Sequence, residues 1–152
     1  RAMVLLRRQQ SAREGNLAAE ASLLAMGQPL EADMAYRRQL VERVVQSQDA
    51  DAFLALSPAM GATAAGDLAY SGLVAGTEFT QLAWQVAACR LGMACGADSL
   101  LMSSYCANAG ICSPKAGQDF ESFVFDAAVP RQGVEKMNEL INQLRRVPEK
   151  RL

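Results

Sequence analysis

The chain has 152 residues, 51% of them hydrophobic and 20% charged, with a net charge of −1 and no histidine. That is enough chain and apolar surface for one ordinary folded domain, and it excludes an intrinsically disordered polymer. A near-neutral balance without a basic, aromatic-interleaved face excludes a typical nucleic-acid binder, and the missing histidine removes the commonest general base and most catalytic zinc sites.

Alanine, leucine and methionine abound, isoleucine occurs twice, and aromatics make up 6%. Helix formers dominate over β-branched residues, so the expected fold is all-α: an irregular bundle of six or seven helices, with a short α-solenoid as the alternative. One domain is expected over 1–152, with a frayed tail at 147–152. The first residue is arginine, and the expectation is a mature or trimmed part of a longer precursor. The apolar run Ala2-Met3-Val4-Leu5-Leu6 is far short of a membrane span. Arg7-Arg8 and Arg145-Arg146 read as solvated helix faces.

In chain order, residues 2–14 predict a helix that stops and restarts at Gly15-Asn16. Leu17 to Met26 is dense in apolar positions and predicts a buried helix punctuated by Gly27-Gln28-Pro29. Glu31 to Gln48 carries Met34, Tyr36, Leu40, Val41, Val44 and Val45 near a 3.6-residue period. Asp49 or Asp51 caps a short helix through Leu56, which Ser57-Pro58 bends or ends. Helices are expected over 62–74 and 77–91, the second capped by Thr77 and closed by Gly92. Asp98 or Ser99 starts a further helix that ends near Gly110, and Asp119 caps 120–128. Pro130 opens the last helix, whose Val134, Met137, Ile141 and Leu144 recur at spacings of three, four and three. Gly15-Asn16-Leu17-Ala18 is echoed at Gly66-Asp67-Leu68-Ala69, the one hint of a repeat.

All four cysteines fall within residues 89–112 as two matched pairs, Cys89-x5-Cys95 and Cys106-x5-Cys112. Each pair straddles a glycine. Four cysteines allow three connectivities. If 98–109 is helical, Cys106 lies about 12 Å along the axis from that helix's start at ~1.5 Å per residue. An antiparallel neighbour would place Cys89 near the start, too far for a Cys89–Cys106 bridge. Local bridges Cys89–Cys95 and Cys106–Cys112 are therefore expected, each stapling a helix end to the loop after it. The rivals are free buried thiols and a four-cysteine zinc site, although x5 spacing is wider than the usual zinc knuckle. Bridged cysteines imply an oxidising compartment, the periplasm or the cell exterior.

The stretch Ala88-Cys89-Arg90-Leu91-Gly92-Met93-Ala94-Cys95-Gly96, followed by Cys106 and Cys112, resembles a pattern in uncharacterised exported helical proteins of proteobacteria. There a Cys-x-Leu-Gly-x-x-Cys-Gly segment precedes a second cysteine pair. Asp119-Phe120-Glu121-Ser122-Phe123 resembles the acidic-aromatic helix that follows it. The resemblance covers residues 84–125 and implies an exported helical protein without implying an activity.

Catalytic constellations are scarce. Gly61 to Gly66 lacks the lysine and hydroxyl of a phosphate-binding loop. Carboxylate pairs could serve glycoside hydrolysis, drawn from Glu20, Glu31, Asp33, Glu78, Asp98, Asp119, Glu121 and Asp126. Most of these read more simply as caps or solvated charges. The methionines read as core filling. Trp84 reads as core, with an interface role as the sharper alternative. The sequence implies no cofactor and no metal. The expected function is non-enzymatic protein binding outside the cytoplasm, for example as an immunity protein or a secretion accessory factor. A cell-wall glycan hydrolase and a small-ligand or lipid carrier are the alternatives. The candidate partner-contacting residues are Trp84, Met93, Asp98, Ile111 and Lys115, on or near the loops at 92–98 and 110–118.

Overall fold

The computed structural model describes residues 2–109 (backbone alone at 108 and 109), 115 and 117–146. Among them it forms α1 (Ala2–Arg13), α2 (Leu17–Ala25), α3 (Met34–Ser47), α4 (Ala50–Leu56), α5 (Glu78–Arg90), α6 (Leu100–Ala109), α7 (Phe120–Phe123) and α8 (Val134–Leu144), and no strand. The protein is an all-α bundle, with eight α-helical segments described against an expectation of six or seven. The predicted tail at 147–152 lies outside the described residues.

The caps follow local chemistry. Asn16, Asp33, Asp49 and Asp119 each accept a backbone N–H of the turn they open, as short polar side chains do at an N-cap. Asp33 starts α3 three residues later than the apolar period suggested. Left-handed Gln48 separates α3 from α4. Pro58 ends α4 as an α-helix, but the residue before it stays helical, and Ser57–Met60 continues as a 3-10 turn. Thr77 and Thr80 form a full reciprocal capping box at the start of α5, more than the single Thr77 cap expected. The Thr80 hydroxyl takes the acceptor role usually filled by glutamate, at 3.0 Å from the Thr77 amide.

The helix expected over 62–74 does not form. Short 3-10 turns at Ala62–Ala64 and Leu68–Tyr70 stand in its place. Gly66 and Gly72 both take φ of +78°, left-handed geometry that breaks an α-helix wherever it occurs. The loop is tied to α3 instead: Arg37 bonds the Asp67 carboxylate at 2.5 Å, and Arg38 donates to the carbonyls of Ala69 and Ser71. The Gly15/Gly66 echo is a shared cap, with Asn16 and Asp67 each accepting a backbone N–H, and not a structural repeat.

One continuous core holds the bundle. Leu23 and Leu24 of α2, Leu40 and Val44 of α3, Phe53 and Leu56 of α4, and Met137, Ile141 and Leu144 of α8 are all buried. Helix α5 runs through the middle and buries the unbroken run Ala83 to Ala88, so it is enclosed on every side there, with Gln85 its one polar residue. Trp84 is fully buried, packs on Phe53 at 5.1 Å between ring centroids, and donates its indole N–H to the Val74 carbonyl at 2.7 Å. Met60 and Met137 are core fillers as expected, whereas Met3, Met26 and Met34 are exposed.

Two polar networks brace this core. Buried Glu20 accepts from the Tyr36 hydroxyl at 2.6 Å and from both terminal nitrogens of Arg43, joining α2 to α3. Burial alone would raise the Glu20 pKa, but the bonds from Arg43 and Tyr36 outweigh it and hold the carboxyl below its ordinary value. Gln85, buried in the apolar run of α5, accepts from the Tyr105 hydroxyl at 2.8 Å and reaches the Ser57 hydroxyl at 3.5 Å. No described helix is long and apolar enough to cross a membrane.

Candidate functional site

The cysteine region grows out of the end of α5. Gly92 takes φ of +114°, the Gly92 amide bonds the Cys89 carbonyl, and the Met93 amide bonds the Ala88 carbonyl. These two bonds make a Schellman motif, which turns the chain sharply as the helix stops. The turn brings Cys95 back on Cys89, and the two form a disulfide with Cα atoms 5.7 Å apart. The local bridge is the one expected, and it ends the zinc reading, since disulfide sulfurs are not thiolate ligands. Cys106 is also disulfide-bonded. The other half of the predicted Cys106–Cys112 bridge lies outside the described residues.

The staple holds more than its own loop. The Cys95 carbonyl accepts the Phe120 amide at 2.8 Å, and Arg90 pairs with Glu121 at 2.7 Å. The end of α5 is thus joined to the start of α7. Helix α7 runs into a π-helical turn, Val124–Ala128, that carries Asp126. Asp126 accepts from Lys115 at 3.0 Å and from the Gln118 side chain at 2.7 Å, which anchors the segment leading into α7.

Between that segment and one face of α6 lies a shallow cleft of about 510 Å³, lined by Asp98, Met102, Ser103, Cys106, Lys115 and Gln118 among others. Ser99, not Asp98, caps α6, accepting the Met102 amide at 3.3 Å. Asp98 is therefore exposed at the rim rather than consumed by the helix start. Leu100, next to that cap, is 90% exposed, the most exposed large apolar side chain described.

Of the residues singled out in the sequence, Asp98 and Lys115 meet in this cleft. Met93 is half-buried against the core just before it. Trp84 lies in the core with no exposed surface, at the inner wall of a separate cleft beside Val41, Val74 and Leu144. Ile111 lies outside the described residues. Leu100, Ser103 and Gln118 were missed. Leu100 carried no readable signal, because a single exposed leucine is ordinary on a protein surface.

No two of the carboxylates considered for hydrolysis line the same one of the four described clefts. Glu20 is bound by Arg43 and Tyr36, Glu121 by Arg90, and Glu31 is exposed. Each of four clefts on the described surface is lined by a single carboxylate: Glu42, Asp67, Glu78 and Asp98. A glycosidase needs two across one cleft. What the fold and site define is an all-α bundle with a disulfide-anchored surface cleft. Comparison with protein-family models, curated proteins and solved structures found no match.

Proposed function

We propose that this protein is a non-enzymatic helical module that acts outside the cytoplasm by binding another protein through the α6 cleft. The observation that carries the reading is the cleft's construction. Opposite charges, Asp98 and Lys115, line it over a floor that includes buried Met102, and the nearly fully exposed Leu100 lies two positions along the chain from Asp98, outside the lining. Apolar side chains next to paired polar groups are the usual anatomy of a protein contact. The Cys89–Cys95 staple and the Cys95–Phe120 bond fix the banks, so little ordering entropy is lost on binding.

The disulfide supports a periplasmic or secreted location, because cytosolic thiols are kept reduced. The resemblance of residues 84–125 to exported helical proteins of proteobacteria points the same way. An immunity protein or an accessory factor of a secretion machine suits such a module.

Two measurements test this. Protein taken from cells and alkylated without reduction should keep its four cysteines unlabelled. A partner retained from periplasmic extract by the oxidised protein should be lost with Leu100→Glu. Cysteines that label directly, or a partner that binds Leu100→Glu equally well, would contradict the proposal.

A further inference from the structure

Helix α6 has a second face. Tyr105 turns away from the α6 cleft and lines another, of about 560 Å³, together with Glu78, Phe79, Leu82, Phe123 and Ala128. That volume falls in the range of small-ligand sites, roughly 300–1,000 Å³. Its wall on one side is the π-helical turn, where the small side chains of Ala127 and Ala128 keep the space open.

The chemistry of this second cleft is one-sided. Phe79, Tyr105 and Phe123 supply aromatic surface, and the Tyr105 and Phe123 rings lie 6.5 Å apart at 56°. Glu78 is the only charged residue lining the cleft, and it makes no ion pair among the described residues. Its charge is felt inside: burial pushes the Tyr105 hydroxyl pKa up, the bond to Gln85 opposes this, and the Glu78 carboxylate adds to the rise. The α5 N-terminus offsets part of the Glu78 charge, but only by about half a unit.

We infer that this cleft binds an organic cation, an ammonium or guanidinium group on an apolar stem, with Glu78 as counter-ion and the three aromatic rings as its walls. Ring faces attract such cations through their quadrupoles, and the carboxylate supplies the sign. A single carboxylate without further oxygen ligands does not suit a divalent metal. An anion would meet Glu78 without a compensating base. The cation can arrive as a free amine or as a basic side chain of a peptide.

Amide shifts of the isotope-labelled protein, titrated with hexyltrimethylammonium, hexanol, hexanoate and the capped tripeptide Ala-Arg-Ala, test the inference. The alkylammonium, the peptide or both should move the Leu82, Ala127 and Ala128 amides, and whichever binds names the source. Hexanol and hexanoate should bind at least tenfold more weakly. Glu78→Gln should weaken the cation at least tenfold, as should Ala128→Lys, which places a fixed cation at an exposed position on the rim; thermal unfolding verifies that both variants fold. Binding of hexanol equal to that of the cations, no binding of either cation, or unchanged affinity in both variants would overturn it.

Discussion

The amide of Phe120 donates a 2.8 Å hydrogen bond to the carbonyl of Cys95, so the bridge that holds Cys95 to Cys89 also sets where α7 begins. A six-residue separation would ordinarily make this a minor, local cross-link. Its reach comes from the partner it positions.

Replacing both cysteines, as Cys89→Ala with Cys95→Ala, should cost about 2 kcal/mol, the chain-entropy value for so short a loop. The loss should be uneven. Hydrogen exchange should show the Phe120 amide losing protection, while amides of α2 and α4 keep theirs relative to global unfolding.

The Glu20–Tyr36 pair predicts opposite pH limits. The Glu20 pKa is lowered in the fold, so its contribution is present above the unfolded carboxyl pKa and is lost as pH falls through the folded value. The Tyr36 pKa is raised, by burial and by Glu20, so its contribution is complete below the unfolded phenol value near 10 and is lost as pH rises beyond it. Denaturation midpoints should therefore drop below about pH 4 and above about pH 10. Glu20→Gln should flatten the acid limb, and Tyr36→Phe the alkaline one.

Tyr105→Phe leaves the buried Gln85 carbonyl oxygen without its donor at 2.8 Å, and should cost about 1–3 kcal/mol in urea unfolding. Gln85→Leu removes the amide while filling its space, but orphans the Tyr105 hydroxyl; the double variant Gln85→Leu with Tyr105→Phe should recover part of the loss.

Trp84→Ala should be among the most damaging single changes, about 3–5 kcal/mol, since it empties a fully buried site beside Phe53. Trp84→Phe should cost less and isolates the lost bond to the Val74 carbonyl. Trp84 is the chain's only tryptophan, so its fluorescence in the wild type reports burial directly.

Much of this fold is legible because its helices carry their own punctuation. The last helix was readable from Val134, Met137, Ile141 and Leu144 alone, and the structure buries the last three. The stretch 62–74 departs from the helix its alanines and leucines favour: Gly66 and Gly72 take left-handed φ, and Arg37 and Arg38 of α3 bond the loop between them, a partnership that local sequence does not show. The bridge Cys89–Cys95 was readable because its geometry is set within one turn. The clefts were not, because each is made by docking one element on another: Asp98 and Lys115 are 17 positions apart, and only the packing of α6 against the segment before α7 brings them together. Gln85 is a lone polar residue inside an apolar run, a pattern that marks a buried partner on another helix.

Position-specific photo-crosslinking in the periplasm tests the central claim most directly. A crosslinker at Leu100 should capture one discrete partner in oxidised cells, while the same group at exposed Asp51 on α4 captures none. Equal capture at the two positions, or capture at Leu100 that survives replacement of Cys89 and Cys95 undiminished, would contradict the account.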